Sequence, residues 1–87
     1  MPTVAYPALA DLVLEGSSPA DGEPLTVVVE ASWRVDRHEV ERAQARAGTL
    51  ARIGRRAVAA VAGRSATPAA EEEAPRASVE VLISPGL

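Results

Sequence analysis

The chain has 87 residues, a net charge of −3 and a pI near 5.0. That length predicts one domain with a modest core, and the acidic balance argues against a general polyanion binder, whose footprint is usually a basic domain. With no cysteine, disulfides, thiolate metal sites and cysteine nucleophiles are excluded.

Core-forming residues are scarce. There is one Trp (Trp33), one Tyr (Tyr6), no Phe, and an apolar fraction of 47% that owes much to Ala. Alanine buries little area per residue, so the composition predicts support from self-association or a larger partner. The start of the chain lacks a basic segment followed by an apolar run, and no apolar run is long enough to cross a bilayer. The expectation is a cytoplasmic protein or a component of an assembly such as a virion.

In chain order, the first segment is open to two readings. Residues 10–15 favour a strand ending in the turn-rich stretch from Gly16 to Gly22. Pro7, Leu9, Leu12, Val13 and Gly16 would equally suit a short capped helix. The clearest strand spans residues 25–35. Leu25, Val27, Val29, Ala31, Trp33 and Val35 alternate with Thr26, Val28, Glu30, Ser32 and Arg34. The odd-numbered set, with Trp33 as its largest member, is the expected core face.

A long helix is predicted over residues 36–62. Asp36 suits its N-cap, Glu39 completes a capping box, and Val35 with Val40 forms a hydrophobic staple. Gly63 suits the far end. Gly48 is a point where the helix could break in two. Ala43, Ala47, Leu50, Gly54, Ala57 and Val61 make a small-residue stripe at helical spacing. This is the expected core face and a candidate helix-packing interface. Arg42, Arg46, Arg52, Arg55 and Arg56 on the opposite side are the candidate partner-binding residues, for phosphate groups or an acidic protein.

Residues 64–76, rich in Ala, Pro and Glu, are predicted to be a flexible loop. A final strand over residues 77–84 sets Val79, Val81 and Ile83 against Ser78, Glu80 and Leu82. The fold class is α+β: a small β-β-α-β domain, its three-stranded sheet covered on one face by one long helix, spanning 1–87 with its core at about 8–63 and 77–85. The last strand is expected parallel to residues 25–35, with the first strand placed either between them or outside.

No catalytic constellation emerges. His38 is alone, Glu39 and Glu41 fall on different sides of the helix, and the Gly16–Gly22 stretch lacks a phosphate-loop lysine. No catalytic residue, cofactor or metal is therefore assigned. The leading expectation is a non-enzymatic structural or protein-interaction module, a subunit of a homo-oligomer or larger assembly. The alternative is a small regulator that binds nucleic acid or an acidic partner through the Arg-rich helix face.

Overall fold

The computed structural model describes residues 3–5 and 12–85. The strands are β1 (Thr3–Ala5), β2 (Leu12–Ser17), β3 (Pro24–Ala31), β4 (Arg34–Val35), β5 (Ala57–Gly63), β6 (Ser65–Ala66) and β7 (Val79–Ile83). The helices are α1 (Arg37–Arg52) and α2 (Pro68–Arg76). Four longer strands and the short edge strand β1 form one mixed sheet in the order β1-β2-β3-β5-β7. The first three are antiparallel neighbours; β3, β5 and β7 run parallel. The α+β class and the parallel last strand agree with the sequence. The sheet is wider than the expected three strands, and there are two helices.

The predicted long helix is in fact a helix and a strand. Asp36 caps α1, its carboxylate accepting the Arg37 N–H. The helix runs through Gly48 without a break and ends at Arg52, because Gly54 takes a φ of 85° that a side-chain-bearing residue rarely adopts. Ala57 and Val61 therefore lie in β5, and the helical stripe was an accident of spacing. Small residues at 57, 59 and 61 fit a period of two as well as one of 3.6.

Residues 64–76 are not a loop. Thr67 caps α2, accepting from the Ala70 N–H, and Pro68 opens the first turn, where its missing N–H is not needed. Ala70 and Ala74 are fully buried. With Val35, Val40, Ala43, Ala59, Val61, Ala77 and Val79 they form the core between the sheet and both helices. The predicted strand at 10–15 is β2; residues 10 and 11 lie outside the described part.

The helices cover the face of β3 that carries Thr26, Val28 and Glu30, the reverse of the face predicted from alternation. Val28 and Val29, on opposite faces, are both buried. β3, with an antiparallel neighbour on one side and a parallel one on the other, is a central strand with buried residues on both faces, so alternation does not choose the helix side.

The second half of the chain restates part of the first. Thr26 pairs with Ala57 and Arg34 with Ser65, a constant offset of 31 residues. At the same offset, the cap Asp36 matches the cap Thr67, and Trp33 matches Arg64. The core is two β-strand–bend–helix units side by side, with β4 and β6 pairing beyond matching bends. Both helices begin at the carboxyl ends of β3 and β5.

Among the described residues, no helix is long and apolar enough to cross a membrane.

Candidate nucleic-acid interface

Parallel α/β sheets usually bind ligands outside the carboxyl ends of their strands. Here the bend at Ser32 and Trp33 ends β3 as a regular strand. The Ser32 N–H donates to the Ala62 carbonyl at 2.9 Å and the Arg64 N–H to the Trp33 carbonyl at 3.0 Å, so the two chains stay locked through the bend. The bend turns Trp33 away from the core.

Trp33 is 69% exposed, which corrects its predicted role as the largest core side chain. Replacing it with alanine is accordingly expected to change stability by less than about 1 kcal/mol, the range of surface substitutions and of an exposed cation–π contact. A thermal melt followed by circular dichroism checks this; a fall in Tm beyond about 8 °C would return Trp33 to a structural role.

The Arg64 guanidinium lies over the indole, 4.6 Å from its centroid, and donates to the Pro85 carbonyl at 3.2 and 3.4 Å. A shallow cavity of about 350 Å³ adjoins the pair, lined by Ala31, Ser32, Trp33, Ala62, Gly63 and Arg64. Arg34 is exposed one residue further on. Neither Arg34 nor Arg64 has a carboxylate partner among the described residues. The α1 and α2 N-termini open at this end too, adding partial positive charge. Asp36, Glu39 and Glu71 stand in or beside their first turns.

The arginines singled out from the sequence are mostly committed elsewhere. Arg42 and Arg46 reach off α1 to one carboxylate, Glu30, at 3.0 and 2.8 Å. Arg55 and Arg56 are not helical; they precede β5 and pair with Glu15 at 3.0 Å and Asp21 at 2.7 Å. The hydrogen bond from Arg56 holds the Asp21 carboxyl below its ordinary value of 3.8, with smaller help from the Glu23 N–H. Of the five, Arg52 alone makes no ion pair among the described residues, and its guanidinium reaches the Thr49 hydroxyl. A second cleft, of about 610 Å³, lies at the opposite end of the sheet against Glu15, Glu23, Arg55 and Arg56. Its charges are largely matched within the chain.

The small-residue set is divided as well. Ala43 and Ala47 meet the core, Leu50 is half-buried, Gly54 turns the chain out of α1, and Ala57 and Val61 belong to β5. They do not form one helical interface.

Besides Trp33, two residues were misplaced by sequence reasoning. Glu30, assigned to the solvent side, is 2% exposed beneath α1. Arg64 was placed in a loop; its match to Trp33 appears only through the strand pairing at the 31-residue offset. His38 is exposed at the start of α1. Among the described residues, no group of three or more His, Cys, Asp or Glu side chains is arranged to hold a metal ion.

No family model matches the chain, and no curated protein does. Among solved structures it is similar to a repair endonuclease from Pyrococcus abyssi. The TM-score is 0.69 at 20% identity, and the match covers 95% of this chain and 38% of that chain. At this identity the likeness is one of fold, and the chain spans less than half of the endonuclease. It nonetheless overturns the expectation of a non-enzymatic structural or assembly module, since this architecture is one that an endonuclease carries.

Proposed function

We propose that this chain is a nucleic-acid-binding domain on an endonuclease-type fold, and that it meets the phosphate backbone at the carboxyl ends of β3 and β5. The observation that carries this reading is the fold likeness over nearly the whole chain. The choice of surface rests on the cations: among the described residues Arg34 and Arg64 pair with no carboxylate, whereas four of the five arginines first nominated do. An overall charge of −3 does not oppose local contact, because screening confines each exposed charge to roughly 10 Å at moderate salt.

Binding of a labelled oligonucleotide, followed by fluorescence anisotropy across a salt series, tests the proposal. Affinity should fall with salt, with a log–log slope that becomes shallower by about 1.4 in Arg34→Ala/Arg64→Ala if each arginine neutralises one phosphate of a single strand. The matching pair Arg52→Ala/Arg56→Ala should leave the slope within error. Loss from the second pair alone would place contact at the opposite end of the sheet, and equal loss from both would mean unspecific attraction to charge; absence of binding at low salt would remove the reading altogether.

A further inference from the structure

We propose that Trp33 is a stacking platform for an unpaired base, so that the nucleic acid taken at this end of the sheet is single-stranded or carries an unpaired end. This rests on the nucleic-acid reading above and specifies its substrate.

Trp33 is the chain's largest side chain, and the core does not use it. At 69% exposure it gives up the burial that a tryptophan normally gains. Its backbone is nevertheless tightly placed, with its carbonyl accepting the Arg64 N–H at 3.0 Å. The ring itself is braced. Arg64 covers one indole face at 4.6 Å, and the Pro85 carbonyl anchors that guanidinium at 3.2 Å. With Arg64 over the ring, 69% of the residue remains exposed and open to a planar partner. An aromatic side chain held ready in this way binds a planar partner with little loss of freedom.

The surroundings select among planar partners. The adjoining cavity, about 350 Å³, is at the small end of ligand sites, and its lining includes the small residues Ala31, Ala62 and Gly63. A flat ring can slide over such residues. Arg64, 4.6 Å from the indole centroid, and Arg34, exposed one residue along the chain, supply cations at this end of the sheet. An indole beside two arginines is the arrangement by which single strands are held without regard to sequence, through a base π-face and the backbone charge. A duplex offers its phosphates to the arginines but keeps its base faces stacked internally. Asp36, Glu39 and Glu71 are the opposing charges in or beside the first helical turns, and Asp36 is occupied in capping α1.

Trp33 is the chain's single tryptophan, so its emission reports on this site alone. The experiment titrates the intact protein with single-stranded oligo(dT), with blunt duplex DNA of equal length, and with the same duplex bearing an unpaired 3′ tail. Anisotropy and tryptophan emission are read together. Quenching is expected with the single strand and the tailed duplex, and little with the blunt duplex. Trp33→Ala should weaken single-strand binding on the order of 10-fold or more, Trp33→Phe by only a few-fold, and neither should alter blunt-duplex affinity. Binding with unchanged emission and an unaffected Trp33→Ala variant would overturn stacking while leaving the nucleic-acid reading intact. Failure of every oligonucleotide to bind would overturn both. If Trp33→Ala instead abolished a concentration-dependent self-association in sedimentation, and left oligonucleotide binding alone, the exposed indole would be an interface between copies and the proposal would fall.

Discussion

Gly63→Ala is expected to lower the stability of the domain by on the order of 2–3 kcal/mol, the range of forced overpacking. For a chain of this size that is a fall in Tm of about 10–20 °C. At Gly63, an added Cβ would overlap the Ser32 carbonyl oxygen and stand 3.0 Å from the Val35 Cγ2. The first obstacle is backbone, and it belongs to the bend where the Ser32 N–H meets the Ala62 carbonyl at 2.9 Å. It cannot rotate aside as a side chain could, so the two units must separate where β4 and β6 begin. Gly48→Ala provides the contrast. Nothing lies within 4 Å of an added Cβ there, and the residue is inside α1. That substitution should stabilise by about 0.5–1 kcal/mol. Two Gly→Ala changes of opposite sign, measured by thermal or urea unfolding, test the register of the repeat; similar effects from both would mean that the β3 and β5 bends do not meet as described.

Glu30→Ala is the second large effect. Its carboxylate, 2% exposed, receives Arg42 and Arg46 from α1 and so ties the helix to the middle of the sheet. Truncation leaves two guanidinium groups leaning on a face built for an anion, and removing one partner of a buried pair typically costs about 3–5 kcal/mol. Arg42 is 55% exposed and can turn to water, which favours the lower end of that range. The Arg46 Nε is already buried without a hydrogen-bond partner, so Arg46 has less freedom to adapt. Replacing the ions together, as Glu30→Leu with Arg46→Met, should recover most of the loss, because well-packed apolar groups often do as well as a buried ion pair. Chemical denaturation of the single and double variants checks this. Equal destabilisation in the two would show that Glu30 acts through contacts other than Arg46.

These effects indicate which features were legible in the sequence. The strand through Val27–Val29 and the Asp36 start of α1 follow from local rules: alternation at the first, a capping carboxylate before an apolar stripe at the second. The end of α1 was marked only by Gly54, because a run of Ala, Val and Gly satisfies strand and helix periods equally. Compositional bias concealed α2. Its alanines look too small to anchor a helix, yet Ala70 and Ala74 are fully buried since they sit close against α1 and the sheet. The Thr67-Pro68 start signal was present but outweighed by the acidic run. Trp33 and Glu30 were exchanged between core and surface for two reasons. Alternation assigns faces only while a strand stays regular, and the bend at Ser32 reverses the rule for Trp33, while helix placement on the even face reverses it for Glu30. The arginines between residues 42 and 56 were legible as charge, but their carboxylate partners come from β2, β3 and the β2–β3 turn, apart in sequence.

The central claim is that nucleic acid meets this fold where its two repeated units bend. Mapping of backbone amide shifts by NMR during titration with a short single-stranded oligonucleotide tests it most directly. The expected result is a set of perturbations confined to the Ser32–Asp36 and Gly63–Thr67 segments, carried onto the first turns of α1 and α2. Perturbations centred on Arg52, Arg55 and Arg56, with the Trp33 and Arg64 amides unmoved, would contradict it.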